Sequence, residues 1–594
     1  MLKKFILNSL SSFVGAWIAF ALFGVAFFIV LFAVIGKFSG GVEDNSVKEH
    51  SILTIELKGI IEEVEKPATI DYGTVLQGEI ETPQTLNKLV KAISEASVNK
   101  NIDAIYLKCG GVAAAPATLH ALRKSLFEFK KSGKKIYAYG DSFGMGDYYV
   151  GTIADSLYMN PEGSLALTGI SSTSLYFKDL LDKLGIEVAV VKVGTFKSAV
   201  EPYISNEMSQ PARAQLDTLY GSMWNFIRDE IASSRKINSA EINRMIDVDF
   251  LMLQNSKYLL KKKLIDRTAY ERQMDGILAD CLGRDKKKLN FVSPETLVAQ
   301  NDWGTNLNSK NQVAVLYATG EIAEKNTRGI DCYTLVPIIT ELADNENVKG
   351  LVLRVNSPGG SVFGSEQIAE ALKYFKSKGK PLAVSMGDYA ASGGYWISAD
   401  ADRIFADPLT ITGSIGIFGL IPNISGLANK IGVHPQSVST NPEIQINLLE
   451  PLTPRQHEAM QKFVEDGYNR FISRVSKGRH LSEAKVRALA EGRVWSAITA
   501  KKLGLVDELG TLNESVEWVV KKGKIGDNYD VAVYPKQNMT LLDYVLASGQ
   551  LESLSDAIPM IEKSTADKIL QQRIINLLQQ RPVQARMPLI EVKL

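Results

Sequence analysis

The sequence predicts an α/β protein: two tandem βαβ repeats preceded by one transmembrane helix. Three observations carry this reading. A 23-residue stretch near the N-terminus has no charge, two segments match at a constant offset of 247 residues, and runs rich in Val, Ile and Leu alternate with helical patterns in each half. The length agrees, because 594 residues at roughly 150 per domain are too many for one hydrophobic core.

The elements follow in chain order. Residues 1–45 read as a tail and anchor, with the span at about 13–35. A helix rising about 1.5 Å per residue over Phe13 to Ile35 crosses a hydrocarbon core of about 30 Å. The run is long for a signal peptide and no Ala-x-Ala site follows it, so an uncleaved anchor is expected over a cleaved signal. Lys3 and Lys4 before the span, against Glu43 and Asp44 beyond it, orient the N-terminus to the cytoplasm and export the rest.

Residues 46–297 and 312–530 are the two repeats. Gly140 to Tyr149 matches Gly387 to Trp396 without a gap, and the same offset pairs Asp155 with Asp402 and Pro161 with Pro408. Ile102 to Leu107 followed by Gly110-Gly111 parallels Val348 to Val355 followed by Gly359-Gly360, and Leu184-Gly185-Ile186 parallels Ile431-Gly432-Val433. In the second copy, Gly350 to Val355 reads as a buried strand, Ser365 to Lys378 as a helix and Leu382 to Ser385 as the next strand. A right-handed crossover and a mostly parallel sheet follow, with ligands expected at the strand C-termini. Residues 298–311, with Asn, Ser, Gly and Thr, are the expected linker. Residues 531–594, including the amphipathic stretch 558–578, read as a helical elaboration or an assembly surface.

Composition narrows the function. Sixty-seven basic and 66 acidic residues leave a net charge of +1, so no global field steers the chain onto nucleic acid. Cys109, Cys281 and Cys332 lie far apart, which admits one disulfide at most and no spaced zinc motif. The histidines His50, His120, His434, His457 and His480 include no pair at metal-ligand spacing. Hydrolytic chemistry is therefore expected without metal or cofactor.

Three short stretches carry that chemistry. Asn356-Ser357-Pro358-Gly359-Gly360 lies between a strand and a helix, where glycine amides can point into a cleft as an oxyanion hole, or where a Pro-Gly turn simply ends the strand. Ser392, in Ala390-Ala391-Ser392-Gly393-Gly394-Tyr395, is flanked by residues small enough to admit a substrate backbone; the same residues also let a helix pack on a sheet. Met145 aligns with Ser392 in the first copy, so only the second half can carry this nucleophile. A serine needs a base. His434 is the histidine of that half nearest in sequence, and a lysine is the alternative. Lys197, in Gly194-Thr195-Phe196-Lys197-Ser198-Ala199, sits among small and apolar residues; it is a base or an exposed loop lysine. Near pH 7 a lysine with pKa about 10.4 is neutral in about one molecule in 2,500, so activation requires desolvation worth roughly 4 to 5 kcal/mol. Burial between the halves, with Lys197 over Ser392, would supply it.

At these residues the chain resembles the long, tandem-repeat form of bacterial signal peptide peptidase A, or protease IV. The resemblance covers nearly the whole sequence. It implies Ser392 as nucleophile, Lys197 as general base and acid, and the Ser392 and Gly359 amides as oxyanion donors. Thr412-Gly413-Ser414-Ile415-Gly416 matches a further motif of that family, in which the serine orients the lysine; by residue type alone Ser414 reads as a turn residue. Cys109-Gly110-Gly111 has lost the Ser-Pro of the second copy. The implied fold is like that of Clp protease and the crotonases. The implied assembly is a membrane-anchored homotetramer, and the implied substrate is the remnant signal peptide or another apolar peptide.

The expected protein is thus a single-pass serine endopeptidase of the bacterial inner membrane with its catalytic part in the periplasm. Two other classes compete. One is a membrane-anchored scaffold that binds apolar segments without cutting them, and the other is a crotonase-like acyl-CoA enzyme.

Overall fold

The computed structural model describes residues 47–64, 84–300, 309–325, 329–441, 445–536 and 583–587. The expected membrane span at 13–35 and the amphipathic stretch 558–578 lie outside the described residues. Among those described, no helix is long and apolar enough to cross a membrane.

Each half is built on its own parallel sheet, and the repeat in the sequence reappears as a repeat in strand order. In the first, the order is Asn290–Val292, Ser51–Glu62, Ile102–Ala113, Lys135–Gly140, Ser156–Met159 and Arg267–Thr268, with Gln84–Thr85 pairing the far end of Ser51–Glu62. In the second it is Asp530–Tyr534, Gln312–Thr319, Val348–Ser357, Leu382–Ala391, Arg403–Ala406 and Glu508–Leu509, with Ile411–Gly413 pairing the far end of Leu382–Ala391 and Val494–Ser496 added antiparallel to Ile411–Gly413. The central strands are buried on both faces, as in a parallel sheet covered by helices. Helix Val362–Ser377 supplies the expected crossover between Val348–Ser357 and Leu382–Ala391. The strand Asp530–Tyr534 belongs to this second sheet, so the boundary expected at 530 falls inside an element. Helix Pro294–Gln300 likewise runs into the expected linker, whose residues 301–308 lie outside the described ones.

A third sheet joins the halves. Glu187–Val193 of the first half runs antiparallel to Ile417–Asn423 of the second over seven paired positions. Its other strands are Val583–Arg586, Gly359–Ser361, Ile322–Ala323 and Ile330–Asp331. Buried polar contacts reinforce the junction. Thr118 donates from both its amide (2.9 Å) and its hydroxyl (2.8 Å) to Asp388, and the Arg354 guanidinium clasps Glu63 at 2.8 and 3.1 Å. His120 meets Asp407 at 2.5 Å. The main core of the first half also takes in Ala391, Leu409, Ile411 and Val494 from the second.

Candidate active site

The inter-half sheet sets the position of Lys197. Val193 pairs with Ile417, and the chain then turns through Gly194 to Lys197 against the loop Glu491–Gly492. Phe196 donates its amide to Glu491 O (2.8 Å), and the Glu491 carboxylate accepts from the Thr195 amide (3.0 Å) and hydroxyl (3.2 Å). The Arg493 guanidinium lies 4.7 Å from the Phe196 ring and 4.5 Å from that of Trp495. Gly492 has φ +74°, and a Cβ there would stand 2.7 Å from Lys197 Cβ. No polar motif marks Glu491, Gly492 and Arg493, so sequence reasoning passed over them; the one signal was a glycine at a loop.

Ser392 ends the strand Leu382–Ala391 and precedes helix Gly393–Ser398, with φ 55° and ψ −114°. A non-glycine residue there is strained, and such strain persists where the surroundings over-determine the conformation. Lys197 Nζ lies 2.9 Å from Ser392 Oγ, 3.0 Å from Ser414 Oγ and 3.2 Å from Ser414 O. All three residues are 0 % exposed. Burial drives the Lys197 amine well below its ordinary pKa, and no carboxylate opposes that shift. Ser414 is held in place by its own amide, which donates to Arg493 O at 2.7 Å.

The structure therefore brings Lys197, Ser392 and Ser414 together from three separate stretches. His434 is not among them: it stands exposed, 3.1 Å from Asn429 Oδ1. The three cysteines are free.

Gly359 has φ +101° and is followed by Gly360 at φ +150°, where a Cβ would collide with Ile322 O at 2.2 Å. The Gly359 amide donates to Ser357 Oγ at 3.2 Å. The second expected oxyanion donor needs correcting. The Ser392 amide is already committed to Gly413 O at 2.8 Å, because the pairing of Leu382–Ala391 with Ile411–Gly413 carries on to that residue. The next amide, Gly393, opens a helix and so has no intrahelical acceptor.

Asn356 is the structural member of its motif. Its Oδ1 accepts from the Tyr389 amide (3.1 Å) and its Nδ2 donates to Asp388 (3.1 Å), tying the turn to the strand that ends in Ser392. In the first half the matching cradle is filled: Asp147 accepts from the amides of Gly111 (3.3 Å), Val112 (3.2 Å) and Gly144 (3.3 Å). With Met145 in place of the serine and a carboxylate on those amides, that copy cannot stabilise an oxyanion.

The family model described as Peptidase family S49 matches twice, over residues 128–279 and 374–525. Protease 4 of Haemophilus influenzae is 35% identical over 554 residues, which cover 88% of each chain. The chloroplastic serine protease SPPA of Arabidopsis thaliana is 27% identical over 501 residues, 82% of this chain and 71% of that one. A solved mutant of ClpP1 from Listeria monocytogenes shares 15% identity and covers 37% of this chain and 99% of its own, at a TM-score of 0.25. That likeness is too slight to carry the Clp and crotonase kinship past an expectation.

Proposed function

We propose, from the premise that this chain belongs to peptidase family S49 and is a serine peptidase, that it cuts peptide bonds with a dyad of Ser392 and Lys197. The observation that carries this reading is the fully buried Lys197 amine, 2.9 Å from Ser392 Oγ. A neutral amine has two N–H donors and one lone pair. Its three neighbours match that inventory: the N–H groups donate to Ser414 O and Ser414 Oγ, leaving the lone pair for the Ser392 hydroxyl proton.

The chemistry is acyl transfer. Lys197 takes the Ser392 proton as Oγ attacks the peptide carbonyl, and the Gly359 and Gly393 amides receive the developing oxyanion once the Ser357 hydroxyl turns aside. The proton then passes to the leaving nitrogen. A water, deprotonated by Lys197, releases the acyl group and restores Ser392.

The finer reading rests on the resemblance and on the uncharged run Phe13 to Ile35. The protein is anchored by that run in the bacterial inner membrane, with its catalytic part in the periplasm. It assembles as a homo-oligomer and degrades remnant signal peptides and other apolar peptides. The near-zero net charge suits capture by apolar contact.

The test is hydrolysis of apolar peptides by the full chain in detergent. Ser392→Ala and Lys197→Ala are each expected to cut kcat on the order of 10⁴-fold or more, and a serine-reactive fluorophosphonate should label Ser392. Full activity in Lys197→Ala would refute the dyad. Binding without turnover in the wild type would favour a scaffold, and thioester hydrolysis in place of peptide hydrolysis an acyl-CoA enzyme.

A further inference from the structure

A buried donor at the junction of the halves lacks an acceptor. Gln215, on helix Gln210–Arg235 of the first half, is 2% exposed, and its Oε1 accepts from the Val494 amide of the second half at 2.9 Å. That bond fixes which way the side-chain amide faces and leaves both Nε2 protons to give. Among the described residues Nε2 has no hydrogen-bond partner, an uncommon state for a buried donor.

Gln215 lines a cavity of about 10 Å³ together with Thr218, Arg493, Trp495, Ser496 and Thr499, and no carboxylate is among its lining residues. That is room for one water-sized sphere. The Thr218 hydroxyl is spent on Ala214 O at 2.8 Å, whereas Thr499 Oγ1 accepts from Ser496 Oγ at 3.2 Å and keeps its own proton to give. The Arg493 guanidinium lies against the Phe196 and Trp495 rings and forms no ion pair among the described residues. Glu491, two residues before it, spends its carboxylate on Thr195.

We propose that this cavity binds one monovalent anion of chloride size, held by Gln215 Nε2 and the Thr499 hydroxyl and balancing the charge of Arg493. A water would also satisfy the amide, but an unpaired guanidinium with no carboxylate beside it favours an anion. Phosphate, sulfate and carboxylates exceed the volume. The position of the cavity gives the ion a consequence. Arg493 O accepts from the Ser414 amide at 2.7 Å, and the Phe196 ring on the guanidinium belongs to the residue just before Lys197. An ion that fixes Arg493 therefore fixes Ser414 and Lys197 together, and holds Nζ over Ser392. This consequence rests on the dyad reading of Ser392 and Lys197; the binding of the ion does not.

The test compares sodium chloride with sodium gluconate, whose anion is too bulky for the cavity, at constant ionic strength on the full chain in detergent. With chloride, kcat for a fluorogenic apolar peptide should rise saturably by about fivefold, with KM within about twofold. The urea midpoint should rise with chloride in the wild type and in Ser392→Ala alike. Both responses should vanish in Gln215→Met, which removes the Nε2 donor. They should also vanish in Gln215→Glu, which keeps Oε1 for the Val494 amide and puts a carboxylate oxygen in the anion's place; its kcat should match the chloride-saturated wild type without the salt. Crystals grown with bromide should show an anomalous peak beside Gln215 Nε2. Equal kcat and midpoint in the two salts, with no bromide peak, would assign the cavity a water only and overturn the proposal, as would a chloride response that survives in both Gln215 variants. Peptide hydrolysis persisting in Ser392→Ala would overturn the dyad reading instead, with the bromide peak and the midpoint shift still in place.

Discussion

Ser414 gives Lys197 two of its three polar neighbours, and only one of these comes from a side chain. Removing the hydroxyl therefore separates orientation from proton affinity. Because the hydroxyl dipole accepts from Nζ, it favours the ammonium over the amine, so its loss adds to the depression that burial already causes. The wild-type kcat/KM should rise with pH as Lys197 loses its proton, with the limb below 10.5. In Ser414→Ala that limb should move to lower pH while the plateau falls about tenfold, since Nζ is then fixed by Ser414 O alone. A plateau that falls with the limb unmoved would assign Ser414 a packing role.

Lys197 depends on an element that carries no chemistry. Gly492 allows the Glu491–Arg493 loop to lie against the backbone of Lys197, and a methyl group there meets Lys197 Cβ, N and Cα at 2.7 to 2.9 Å in a backbone conformation with φ +74°. Gly492→Ala is expected to lower kcat by about 10² or more through displacement of Nζ, with far-UV circular dichroism unchanged. Wild-type kcat in that variant would show that the loop does not place the lysine. The same example marks where sequence reading stops. Strand Val348–Ser357, helix Val362–Ser377 and strand Leu382–Ala391 were legible because their periodicities are local, as was the repeat, which now recurs as a shared strand order. Ser392 and Lys197 are legible as residue types in motifs, with the need for a buried lysine following from its pKa; Ser414 reads by type as a turn residue, and only the family resemblance gave it a place beside the lysine. The pairing of Glu187–Val193 with Ile417–Asn423 was not, because it joins segments of different halves whose own patterns say nothing about each other. The loss of the Ser392 amide to Gly413 is a matter of strand register, which a single residue can change.

At the scale of the whole molecule, the junction that assembles the site holds two buried bases whose protonation pulls in opposite directions. His120, on helix Pro116–Lys130, faces Asp407 at 2.5 Å and Glu230 at 3.9 Å, with Phe226 edge-on at 5.2 Å. Burial lowers its pKa and Arg123 adds to that, but Asp407 by charge and hydrogen bond, with Glu230, outweighs both and raises it above 6.5. Protonated His120 therefore contributes stability that is fully present below pH 6.5 and is lost as pH rises through the folded-state pKa. Lys197 behaves in the reverse sense. Its folded-state pKa lies well below 10.5, so between the two values the unfolded chain binds more protons and stability increases with pH. His120→Gln should flatten the decline of the urea midpoint above pH 6.5 and leave the alkaline rise in place. Lys197→Met should remove that rise and increase the midpoint at pH 7, at the cost of activity, because a side chain of similar length then fills the site with no amine to desolvate. Identical pH profiles in wild type and both variants would show that neither base couples to the docking of the halves. A divided site of this kind keeps its buried lysine neutral only while the halves stay packed, so the His120–Asp407 pair that fastens the junction and the lysine that weakens it are linked through one interface.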